Sequence, residues 1–188
     1  MKSSVYKAEK LRASLNERNY LSVNTEILQP QEIWLLCCHK NNTKKFTSYL
    51  YKTFYLLVPK VGSIKEVEGR QIIHFKDSSY ILVISTDGLN KKNLKDFSKL
   101  GRIHNLSAGL VILRIKGRGS CELINRLVGI DAAEMGKGEN SVVPISSQMG
   151  SISKINNTVF ELIIPSSYLT FFMSCIVAIL VMFEIREE

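Results

Sequence analysis

The stretch Leu162–Phe183, LIIPSSYLTFFMSCIVAILVMF, runs for 22 residues without a charge, and only Glu-Ile-Arg-Glu-Glu follows it. A single helix needs about 20 apolar residues to cross a bilayer core. Ser166, Ser167, Thr170 and Ser174 are tolerable in such a span because helix carbonyls accept their hydroxyls, and Pro165 suits the first turn, where its missing N–H costs nothing. The expectation is a single-pass C-terminal anchor over about 165–184, with the domain before it in the cytoplasm and the membrane as partner. The competing reading is a strand over Phe160–Ile164 followed by a core helix, in a cytoplasmic protein. If that strand exists, Ser166–Phe183 is left as the span, at the lower limit of length.

Charge divides along the same line. Residues 161–188 hold one Arg and four Glu, whereas 1–160 hold 24 Lys and Arg against 13 Asp and Glu, for +11. A surplus of that size favours nucleic acid, nucleotides or another polyanion as partner, or simply aids solubility. It also agrees in direction with the bias that keeps basic segments on the cytoplasmic side. With 188 residues, 45% hydrophobic and 22% charged, the chain can bury a core without metals or disulfides, and disorder is excluded as the default. Cys37, Cys38, Cys121 and Cys175 form no C-x-x-C pair and read as reduced thiols packed like small hydrophobes. The N-terminus lacks the apolar core of a signal peptide.

Periodicity supplies the elements. Val5, Ala8, Leu11 and Leu15 predict a helix over 3–18, and strands follow over Tyr20–Leu28 and Glu32–His39. Phe46, Tyr49, Leu50, Thr53, Phe54 and Leu57 share one helical face, and that helix stops before Pro59. Short strands are expected over Gln71–Phe75 and Tyr80–Ser85, then a helix over Asn90–His104 and a strand over Gly109–Ile115. That succession predicts a parallel βαβ unit, and a helix over Ser120–Val128 follows. The Gly-, Ser- and Asn-rich residues 129–157 read as a loose connection, with short strands at Val142–Ile145 and Thr158–Ile164. The fold class is α/β, a mixed central sheet flanked by helices with a C-terminal hydrophobic helix. Its parts are a basic α/β domain over 1–130, a loop-rich connection over 131–164 and the terminal helix over 165–184.

Few residues carry a chemical signal. Gly117-Arg118-Gly119-Ser120, preceded by Lys116, lies between a strand and a helix, where backbone N–H groups and the helix dipole favour an anion. The same residues also suit a tight turn with a serine cap. No third glycine completes a dinucleotide fingerprint and no Gly-Lys-Ser/Thr phosphate loop occurs. Asp87 stands at a strand end, where open sheets place functional groups, and is equally half of an Asp-Gly turn. His39, His74 and His104 are too scattered to suggest a metal site, so neither metal nor cofactor is expected.

Pro30-Gln31-Glu32, Cys38-His39-Lys40, and Asp87-Gly88 followed by KKNLKDFSKL and GLVILRI resemble the order of the restriction-endonuclease-like PD-(D/E)xK superfamily over about residues 5–128. The likeness is to its degenerate or accessory members. Cys38 stands where the motif acid belongs, and Glu32 lies on the same strand rather than on a separate one. The resemblance therefore implies no nuclease activity, with Lys40 as a remnant or a phosphate contact. The functional expectation is a non-catalytic, membrane-tethered basic domain binding a polyanion or a protein partner. The alternatives are a diverged metal-dependent nuclease, or a soluble structural protein whose last helix is buried or forms a homo-oligomer.

Overall fold

The computed structural model describes residues 23–30, 32–145 and 147–184. The helix expected over 3–18 lies outside the described residues. The elements are β1 (Val23–Leu28), β2 (Glu32–Cys38), α1 (Thr43–Phe54), β3 (Ser63–Val67), β4 (Arg70–Lys76), β5 (Ser79–Ile84), α2 (Lys91–Leu100) and β6 (Gly101–Asn105). Then come β7 (Leu110–Gly117), α3 (Ser120–Val128), β8 (Asn140–Ile145), β9 (Gln148–Asn156), β10 (Val159–Pro165) and α4 (Leu169–Glu184). They form two units: a discontinuous one, 1–28 with 109–188, and one inserted into it, 29–108.

The inserted unit is an antiparallel sheet in the order β3-β4-β5-β2-β6. Trp34, Leu36, Ile72, Tyr80, Leu82 and Ile84 of the sheet pack with Phe46, Leu50 and Phe54 of α1 and Phe97 of α2. The aromatic rings interlock, with Phe46 stacked on Tyr80 at 4.8 Å and Tyr49 edge-on to Phe97 at 5.0 Å; such pairs add about 0.5–1.5 kcal/mol beyond burial.

No parallel pair joins the strands expected at 80–85 and 109–115. They belong to different sheets, because α2 ends at Leu100 and its expected continuation to His104 is the edge strand β6. β5 and β6 both run antiparallel to β2, so the crossover through α2 skips one strand. The GRIHN sequence of β6 has too little apolar alternation to announce a strand. It exists because β2 offers an unpaired edge.

The discontinuous unit is an antiparallel sheet in the order β1-β7-β10-β9-β8. The mixed central sheet of the sequence reading is thus corrected to two antiparallel sheets with helices. In residues 131–164 the short strands expected at Val142–Ile145 and Thr158–Ile164 are β8 and β10, and between them stands β9, where a loose connection was expected. β9 is polar in sequence yet buried from Gly150 to Lys154. Asn140 makes this tolerable, since its Nδ2 donates to Ser151 Oγ at 2.6 Å, Ser153 Oγ at 2.9 Å and the Ile152 carbonyl at 3.0 Å. Buried Lys154 donates to the carbonyls of Ala132 and Ala133 at 2.9 and 3.2 Å, tying the 131–139 segment to the sheet. Glu161, also buried, is the register partner of Arg114 and accepts from its Nε at 3.0 Å.

The terminal stretch splits into parts of both kinds. Val159–Pro165 is strand, with Phe160, Leu162 and Ile164 in the core, and α4 begins only at Leu169. Leu169, Phe172, Met173, Ile176 and Leu180 form a helical stripe buried to 1% exposure or less among β7, β10 and α3 residues. Sixteen residues reach about 24 Å, short of the roughly 30 Å hydrocarbon core. Among the described residues no helix is long and apolar enough to cross a membrane. The single-pass anchor, the membrane as partner and the membrane location are all overturned: the apolar surface that suggested lipid faces this unit's own sheet.

Glu32 fixes the turn between β5 and α2. Its Oε2 accepts from Trp34 Nε1 at 2.7 Å and from the Leu89 backbone N–H at 2.8 Å. Gly88 packs so tightly against this carboxylate that a Cβ there would lie 2.5 Å from Glu32 Oε1.

Two outcomes follow for denaturant unfolding. Phe172→Ala should cost about 3–5 kcal/mol, whereas half-exposed Phe171→Ala should stay within about 0.5 kcal/mol; equal losses would contradict the one-sided burial of α4. Gly88→Ala should destabilise the wild-type chain by about 1–3 kcal/mol and cost clearly less in a Glu32→Ala background, because the two side chains compete for one space.

Candidate functional site

Two concave places among the described residues lie in the inserted unit. The first is a polar cleft of about 290 Å³ lined by Glu68, Arg70, Asp87, Asn90, Asn93 and the α1 end at Phe54 and Tyr55. Asn90 caps α2 reciprocally with Asn93: Asn90 Oδ1 accepts from the Asn93 N–H at 2.9 Å, and Asn93 Oδ1 from the Asn90 N–H at 3.2 Å. Asn93 Nδ2 also donates to Tyr49 Oη at 3.1 Å. The Arg70 guanidinium sits 5.5 Å from the Phe54 ring centroid, and its Nε is buried with no hydrogen-bond partner. Tyr55 and Glu68 hold positive φ, 55° and 48°, in the small left-handed region that side chains seldom occupy. Charges of both signs meet here, so the cleft can bind a small polar group. Among the described residues no three His, Cys, Asp or Glu are grouped to hold a metal ion.

The second place is a groove of about 530 Å³ between α1 and α2, with Lys44, Lys45, Lys52 and Lys99 around Tyr49, Leu100, Ser48 and Asp96. Asp96 is bridged by Lys99 at 2.9 Å. That hydrogen bond, reinforced by the charges of Lys99, Lys92 and Lys95, holds its carboxyl below the usual carboxylate range. The surroundings are strongly basic: residues 29–108 carry thirteen Lys and Arg against six Asp and Glu, leaving only +1 of the net +8 to the rest of the chain. Helix polarity sharpens the contrast. α1 and α2 both open with lysine pairs, Lys44-Lys45 and Lys91-Lys92, and neither has an acid in its first turn. Cations there oppose the helix dipole by about 0.3–1 kcal/mol each. α3 follows the dipole instead, with Glu122 early, Arg126 late and a 2.9 Å bond between them.

The residues singled out from sequence separate into three places. Glu32 and Asp87 both lie at the turn into α2, Glu32 bonded to the Leu89 N–H and Asp87 lining the polar cleft. Lys40 lies beyond the far end of β2, in a 3-10 turn over Lys40–Asn42, about 26 Å along the chain direction from Glu32. The Lys116–Ser120 turn belongs to the discontinuous unit. There Lys116 Nζ stands 3.4 Å from Glu26 Oε2, Arg118 is exposed, and Gly117 holds φ 127° as the chain leaves β7. Gly119 precedes α3 without a side-chain cap, and Ser120 is fully buried with its Oγ unpartnered, closed to any anion in solvent. His39 and His104 are exposed, while both His74 ring nitrogens face carbonyls, Pro59 O at 2.9 Å and Asp77 O at 2.6 Å. All four cysteines are free. Burial pushes the Cys38 thiol up against a smaller lowering by its hydrogen bond with Thr43, which disfavours a thiolate nucleophile. Arg70, Glu68 and the helix lysines were missed from sequence; the paired lysines at two helix starts were the available signal.

No protein-family model matches the chain, and no curated protein matches its sequence. Among solved structures, the fold is similar to a chain of the heterotetrameric sarcosine oxidase from Corynebacterium sp. U-96, determined in complex with pyrrole 2-carboxylate. The TM-score is 0.72 at 13% identity, over 92% of this chain and 94% of that one. It is also similar to aminomethyltransferase T of the glycine cleavage system from Bartonella henselae, with a TM-score of 0.62 at 10% identity over 87% of this chain. The chain spans about half, 48%, of that protein. At these identities the likeness is one of fold. It replaces the restriction-endonuclease-like resemblance: both sheets are built from antiparallel pairs, and Glu32 and Lys40 stand toward opposite ends of β2. The fold shared with these two structures is the assignment that stands.

Proposed function

We propose that this chain is a non-catalytic subunit that docks onto a protein partner within a larger enzyme assembly. The observation that carries the reading is the end-to-end correspondence with one chain of a heterotetrameric oxidase, 92% of this chain on 94% of that one. A fold shared along nearly the whole of one component of a hetero-oligomer supports a role beside a partner chain. The aminomethyltransferase, by contrast, continues well beyond the matched part. The uneven charge supports a docking role, because a +7 unit attracts and orients an oppositely charged surface before contact. The same charge favours a second reading, binding of nucleic acid or another polyanion.

Size fractionation of the endogenous protein, followed by cross-linking, tests the first reading. The chain should migrate in a complex larger than a homodimer, with cross-links to one partner at fixed stoichiometry. Migration as a monomer in fresh extract would overturn it. For the second reading, log affinity for an oligonucleotide should fall linearly with log salt, with a slope of about −0.7 per contacted phosphate on a single strand. Absence of binding at low salt would remove that reading.

A further inference from the structure

We infer that the lysine-lined groove between α1 and α2 is the docking site for an acidic, partly apolar segment of a partner polypeptide. The inference rests on the subunit reading above and names the surface through which it works. Three observations converge on it. Lys44, Lys45 and Lys52 line the groove from one helix that contains no acid, and none of them forms an ion pair among the described residues. Two of the three stand in the first turn of α1, where the helix dipole disfavours a cation and an incoming carboxylate relieves both charges together. Lys99 on the α2 side stays close to Asp96, so the cationic rim is completed from the second helix while one fixed carboxylate remains inside.

The chemistry of the floor selects the occupant. Tyr49 and Leu100, both half-buried, present an apolar strip between the lysines, and the Tyr49 ring is braced edge-on by Phe97. A peptide that alternates acidic and apolar side chains matches that strip and its rim at once. A phosphate backbone would engage the lysines and leave the Tyr49 and Leu100 strip uncovered. From Lys44 to Lys52 the groove runs about 12 Å along α1, the length of about four extended residues. Three charge-assisted contacts along such a length suit a docking segment whose binding weakens with salt.

The test uses the full chain and a fluorescently labelled peptide of alternating Glu and Leu, read by anisotropy at low ionic strength. The variant Lys44→Glu/Lys45→Glu/Lys52→Glu should lose about tenfold or more in affinity. A charge-matched control, Lys60→Glu/Lys65→Glu/Lys76→Glu, alters exposed lysines of the same unit outside the groove and should change affinity by less than about threefold. Unchanged circular dichroism confirms that each variant folds. Equal losses in both variants, no peptide binding by the wild type, or a single-stranded oligonucleotide that binds more tightly and displaces the peptide would each overturn the inference. The endogenous complex separates the two proposals. If the groove variant still assembles with its partner as the wild type does, the groove falls and the subunit reading stands. A wild-type chain that binds the peptide through the groove but remains a monomer in extract overturns the subunit reading alone.

Discussion

The burial of one stripe of α4 against the discontinuous unit's sheet is the interaction on which that unit depends. Leu169, Phe172, Met173, Ile176 and Leu180 are each essentially inaccessible, and each such side chain contributes about 1.5–3 kcal/mol when taken from water. They meet Phe160, Leu162 and Ile164 of β10 and Leu123, Ile124 and Leu127 of α3 in one cluster. The apolar face that carries Phe160, Leu162 and Ile164 needs such a cover, and α3 alone is only nine residues long. The most hydrophobic segment of the chain is therefore the lid of its own core.

Polar groups make the rest of that sheet possible. β9 carries Ser151, Ser153 and Lys154 into burial, which would be costly for unpaired groups. Asn140 collects both serine hydroxyls across the β8–β9 pair, and Lys154 finds two carbonyls and the face of Phe160, 5.8 Å from its centroid. Arg114 and Glu161 pair across β7 and β10 in register, so neighbouring strands are keyed by charge as well as by their backbone ladder. The inserted unit relies instead on aromatic interlock and on one carboxylate, Glu32, that holds the turn into α2. The two units use different means to reach the same plan of an antiparallel sheet with helices on one face.

How much of the candidate site could be read in advance follows from the range of each interaction. Asp87 and Glu32 were visible as residues, but the hold of Glu32 on the turn that contains Asp87 was not, because the Glu32–Leu89 hydrogen bond joins positions 57 apart. The Gly117–Ser120 turn was found in its expected place between strand and helix, yet whether Ser120 faced solvent depended on the burial of its helix. Arg70 carried no local signal, since its position against Phe54 is set by the neighbouring strand and helix. The lysine groove was half legible. The surplus of charge was plain in the composition, but its concentration in residues 29–108 acquired meaning only once those residues formed a separate unit.

By itself the sequence determined the elements whose patterns are strong and local. Those include β2, α1, β5, the first turns of α2, β7 and α3, each built from apolar spacing that a helix or strand must bury. It also determined the basic character of the chain. Only the tertiary structure decided which strands pair and what the terminal apolar stretch faces. Strand pairing joins residues far apart in sequence, and a polar segment such as Gly101–Asn105 or Gln148–Asn156 becomes a strand only when an edge and a set of hydrogen-bond partners await it. Apolar surface records that a segment must leave water. Whether it turned to lipid or to protein was settled by Val159–Pro165 pairing into the sheet, which shortened the helix to sixteen residues and laid its apolar side on the core.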